Sequence, residues 1–114
     1  MDESILLSVK KVLGIDPGFT DFDLDIIMHI NSVLLILRQL GIGPEGGYVI
    51  TGPNDLWTDY LPNIDELAAV KTYICLKVRH LFDPPVGGAL DALTKAISEL
   101  EWRLNVEVDP GKKD

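Results

Sequence analysis

The stretch ELAAVKTYICLKVRHLF, residues 66–82, most constrains what this chain can fold into. Leu67, Val70, Ile74, Val78 and Leu81 recur at three- and four-residue steps, the spacing that stacks side chains along one face of an α-helix. Ala69, Tyr73, Cys75, Leu76 and Phe82 fall beside or opposite that seam, so the helix is apolar around much of its circumference. A helix of that kind is surrounded by others. Its end is sharply marked: Pro84 pushes Asp83 out of helical geometry, and neither Pro84 nor Pro85 can donate to a continuing helix. The remaining helical segments each have one clear apolar face, which makes 66–82 the central helix on which they pack.

Those partners can be read in order. Residues 4–13 form a first helix, capped by Asp2 or Ser4, striped by Ile5, Val9 and Val12, and ended by Gly14. Asp16-Pro17-Gly18 is a turn. A longer helix opens at Thr20 or Asp21 and runs to Leu40, with Asp23 and Asp25 placed favourably against its dipole. Ile26, Ile27, Ile30, Val33, Leu34, Leu37 and Leu40 make its continuous face, while Met28, Leu35 and Ile36 lie off it. That surplus exceeds what one buried side requires and marks a second packing surface. Residues 54–61 (NDLWTDYL) are a short capped turn of helix, with Asn54 or Asp55 as cap and Trp57 and Leu61 tucked inward. A last helix spans about 89–104, with Leu90, Leu93, Ile97, Leu100 and Leu104 as its seam and Glu99–Arg103 as an outer i,i+4 pair. Trp102 lies off that seam.

Residues 41–52 differ in kind, with five glycines, Pro44 and one β-rich run, Tyr48-Val49-Ile50-Thr51. GIGPEGG has the look of a phosphate loop, yet no Gly-Lys-Ser/Thr follows, and a strand-like run stands where a helix should. A flexible loop or short β-hairpin is the plain reading, and a lone strand there would need a neighbouring chain to satisfy its backbone. The expected fold is therefore mainly α: a small bundle of about four main helices around 66–82. Residues 1–104 form one domain and 105–114 a polar tail that orders on binding.

Composition limits the function. A chain of 114 residues buries roughly two thirds of its unfolded surface without a disulfide or metal. Its single cysteine, Cys75, makes no internal disulfide and points weakly to a reducing site of synthesis. Met1-Asp2-Glu3 is acidic where a secretory signal is basic. The longest apolar run, 33–37, is far short of the about 20 residues that span a bilayer. The net charge of −8, with ten scattered Lys and Arg, argues against gripping nucleic acid, though not against a wall that DNA slides past.

A search for chemistry yields little. Asp25 precedes His29 by one helical turn, a metal-like spacing, but no second set of ligands accompanies it. Cys75 and His80 are five apart and point to different sides of one helix. Asp59, Asp65 and Asp83 sit near helix ends, where capping explains them. The expectation is a non-enzyme with no catalytic residue, cofactor or metal. A thiol enzyme at Cys75 or a His29/Asp25 site stands as the contrary reading.

The order of landmarks goes further. ILLSVKKVLGI near the N-terminus, DFDLDIIMHINSVLLILRQLGIGP across 21–44, ITG with LWTDYL, AVKTYICLKVRHLFDPP across 69–85 and ISELEWRLNV across 97–106 cover nearly the whole chain. In this ensemble the sequence resembles the small head–tail connector (adaptor) proteins of tailed bacteriophages and prophages. The resemblance implies a virion protein, made in the host cytoplasm, whose subunits form a homo-oligomeric ring (a dodecamer) beneath the portal protein. The ring extends the DNA channel, lets DNA through without sequence-specific binding, and docks a stopper or tail completion protein. Carried over by position, Asn105, Val106, Val108, Pro110, Lys112 and Lys113 are the expected portal contacts. Tyr48, Val49, Ile50, Trp57, Tyr60 and Trp102 are the expected contacts to a neighbouring subunit or the tail side. The tail is short and Lys112-Lys113 is its only basic cluster, which tells against a long wrapping arm. The alternative is a small helical prophage-encoded binding or regulatory protein.

Overall fold

The computed structural model describes residues 4–62 and 64–108, apart from the side chains of 64–66 and 106–108. Within them the chain forms α1 (Ile5–Leu13), α2 (Asp23–Gln39), the single turn α3 (Trp57–Tyr60), α4 (Ile64–Phe82) and α5 (Gly88–Val108). α4 is the shared partner: α1, α2 and α5 all pack on it, and α1 also packs on α2. Val70, Tyr73, Ile74, Cys75 and Val78 are buried along it, on more than one side of the helix, as its apolar circumference demands. Leu81, expected in the seam, is exposed. The final turn closes instead through Phe82, whose ring meets Phe22 edge-on at 5.7 Å and lies 6.1 Å from His29.

Local chemistry explains the boundaries. Ser4 Oγ accepts from the Leu7 N–H (3.2 Å) to start α1, and Gly14 ends it in the left-handed conformation (φ 78°). α2 starts two residues later than Asp21 would have it, after Phe22, with no side-chain cap. Asp23, in the first turn of α2, turns its carboxylate to Lys10. Lys10 is fully buried, with Nζ 2.8 Å from Asp23 Oδ1 and donating to the carbonyl oxygens of Phe19 (2.8 Å) and Pro17 (3.2 Å). One ammonium, with three protons to give, thus ties α1 to the connecting turn and to the first turn of α2. At the other end of the chain, α5 runs four residues beyond its expected stop at Leu104, so part of the expected tail is helix. Glu99 and Arg103 pair at 3.0 Å on its exposed side, where such a pair adds little.

The glycine-rich stretch is a loop, not a hairpin: among the described residues there is no strand, only an isolated bridge between Ser4 and Leu56. Much of its second half is tied to the rest of the chain by hydrogen bonds. The Ile50 N–H donates to Asn31 Oδ1 (2.8 Å) and the Ile50 carbonyl accepts from Asn31 Nδ2 (3.1 Å), so one side-chain amide of α2 stands in for a partner strand. Asp55 caps no helix. Its Oδ2 accepts from Thr51 N–H (2.8 Å) and Gly52 N–H (3.3 Å), while its carbonyl accepts from Ile5 N–H (3.0 Å).

Lys10→Met should lower unfolding stability by about 3 kcal/mol, because it leaves a partly buried carboxylate and two carbonyls without their shared cation. Urea unfolding followed by circular dichroism measures it.

Candidate assembly surface

The core side of α2 is filled by Ile26, Ile30, Val33, Leu34 and Leu37. The opposite side is apolar too. Leu24, Met28 and Leu35 are 77%, 68% and 53% exposed, and their spacing of four and seven puts them within about 40° of one another around the helix. Val49, 62% exposed, extends this ridge, since it borders the same cleft of about 290 Å³ as Leu35, Arg38 and Gly47. Exposed Asp21 and Asp25 lie at the N-terminal end of the ridge and exposed Arg38 at the other.

The loop beneath Val49 is held rather than free. Arg38 Nε and Nη2 both donate to the Glu45 carbonyl (3.2 and 3.0 Å), and the Tyr48 ring rests on Tyr60 at 5.3 Å between centroids. Gly43 (φ 97°) permits this close approach, because a Cβ there would stand 2.8 Å from the Tyr60 ring. Burial, then the nearby carboxylates of Asp55 and Asp59, raise the Tyr48 hydroxyl above its ordinary pKa.

The expected contact residues divide accordingly. Val49 and Trp102 are outward and exposed, Trp102 at 66%, and Tyr48 is half-buried. Ile50, Trp57 and Tyr60 are buried in this chain's own core, and Trp57 Nε1 donates to Ser8 Oγ (3.0 Å). Asn105 is exposed near the end of α5. Val106 and Val108 lie in that helix with side chains outside the described residues, and Pro110, Lys112 and Lys113 lie outside them entirely. Sequence reasoning singled out Met28 and Leu35 as surplus but passed over Leu24, which stands in a first turn read for its capping acids.

Cys75 is 7% exposed, and burial pushes its thiol up to about 11, with Lys71 pulling weakly the other way. A neutral, enclosed thiol is a poor nucleophile. Tyr73 donates to Glu101 Oε2 (2.8 Å), which also lies 3.5 Å from Lys77 Nζ. Burial and this acceptor hold the phenol well above its usual range. His29 and Asp25 gain no further ligands: among the described residues no group of three or more His, Cys, Asp or Glu could hold a metal ion. No described helix is long and apolar enough to cross a membrane.

Compared with known families, the chain matches the model described as phage connector protein over residues 5–111. It belongs to the phage connector proteins. Neither the curated proteins nor the solved structures contain a match. The connector is thus a structural phage protein of the head–tail class, and its exposed large apolar side chains include Leu24, Met28 and Leu35 on α2, Val49 beside them and Trp102 on α5.

Two outcomes check this account of the site. Asn31→Ala should cost about 2 kcal/mol or more, since it strips partners from both backbone groups of buried Ile50, whereas exposed Met28→Ser should leave stability within about 0.5 kcal/mol. Stability should also fall as pH rises from 9.0, where Cys75 ionises when unfolded, to about 11, where it ionises when folded. The sign follows because the unfolded chain binds fewer protons in that window. Cys75→Ala should flatten the decline in urea unfolding.

Proposed function

We propose that this connector assembles as a ring beneath the portal vertex, extends the DNA channel, and docks the next neck protein, a stopper or tail completion protein. The observation that carries the proposal is an apolar ridge facing away from the core, on a chain that belongs to the connector family. Three large apolar side chains on the outermost line of a helix cost solubility in a lone subunit, and a neighbour that covers them recovers the burial. The net charge of −8 suits a conduit that repels DNA and lets it slide. Asn105 and the residues that follow, at the end of α5, are the segment proposed to reach the portal. Many weak contacts, closed into a ring and templated by the portal, supply the affinity that no single one has.

Complementation tests this directly. Particles made without the connector should package DNA yet fail to join tails, and the purified chain should restore joining. A chain lacking residues 105–114 should restore less than a tenth of it. Normal tail joining in the absence of the connector would refute the proposal and favour a regulatory role.

A further inference from the structure

Closing a ring requires each subunit to carry two different surfaces that fit one another, so the ring reading above, on which this inference rests, demands a partner for the α2 ridge. The fold places a candidate across the molecule. α1 and α2 pack with each other and with α4, whereas α5 packs on α4 through Tyr73 and Lys77. The core side of α5 carries Leu93, Ile97 and Leu104, and Trp102 projects roughly opposite them. Tryptophan is among the residues that most often anchor an interface, and here it stands on an otherwise polar helix face.

Charge sets the direction. On α2, Asp25 and Arg38 stand near the two ends of the apolar ridge, thirteen residues apart and about 20 Å along the axis. On α5, exposed Asp91 and Arg103 are twelve residues apart, about 18 Å. Laid parallel, the two helices would set acid against acid and arginine against arginine. Laid antiparallel, they bring Asp25 to Arg103 and Arg38 to Asp91, and Trp102 falls between Leu24 and Met28. Arg38 can serve this contact while holding Glu45, because a guanidinium has five protons to donate. We infer that the α2 ridge of one copy receives the Trp102 side of α5 from the next copy, antiparallel, as the head-to-tail contact that repeats around the ring. An α2–α2 contact would also pair Asp25 with Arg38, but it would consume the ridge in a closed dimer and leave Trp102 uncovered.

Thiol crosslinking on the portal complex separates these arrangements. Ser32 and Ser98 are exposed on α2 and α5, and the native Cys75 is buried, so the background is low. With a short bismaleimide, Ser32→Cys/Ser98→Cys should give a ladder of dimers, trimers and higher species, and each single variant should give none. Adding Trp102→Ala should reduce the ladder at least about tenfold. Dimers from Ser32→Cys alone, or a portal-bound double variant without a ladder, would overturn the pairing and leave the connector role standing. A chain that the portal does not bind at all would remove the ring reading itself, and the pairing with it.

Discussion

A buried lysine holds the outward face of this protein in place. Lys10 has no exposed surface, and its ammonium gathers the Pro17 and Phe19 carbonyls and the Asp23 carboxylate. A cation removed from water is costly unless every proton finds an acceptor, so the connection from α1 to α2 has little freedom to rearrange. From that fixed start, the buried stripe of Ile26, Ile30, Val33, Leu34 and Leu37 turns α2 toward the core. With Ile26, Ile30 and Val33 turned inward, Leu24, Met28 and Leu35 can only face out. The exposed apolar ridge thus lies on the side of α2 turned away from its buried stripe.

A second polar device works the same way on the loop. Asn31 sits between the inner and outer sides of α2 and takes both backbone groups of Ile50, which sinks Ile50 into the core and turns Val49 to the surface beside Leu35. The two neighbours thus face opposite ways, Ile50 buried and Val49 exposed. A stretch whose glycines read as flexible is therefore fastened by Asn31, Arg38 and Tyr60.

The helices were legible in the sequence because periodicity is local. The central place of α4 follows from an apolar circumference, the stop at Phe82 from Pro84-Pro85, and the mainly α class from four such stripes. The polar fastenings were not legible, because each joins residues that only the fold brings together. Asn31 and Ile50 are nineteen positions apart, and Trp57 and Ser8 forty-nine. Lys10 reads as an ordinary helix cation until its three oxygens are seen around it. The burial of Trp57 and Tyr60 was not legible for the same reason, because aromatic residues are enriched in both cores and interfaces. Leu24 was hidden by the opposite error, as its neighbours Asp23 and Asp25 drew attention to the helix dipole.

A small acidic bundle keeps several large apolar side chains outside its own core, and the proposed function has a neighbouring subunit cover them. The mass of the purified chain mixed with the portal of the same phage, by light scattering, tests that claim most directly. The account predicts a complex with one connector copy per portal subunit, whether the free chain is a monomer or already a ring. A portal whose mass is unchanged at both low and physiological salt would contradict it.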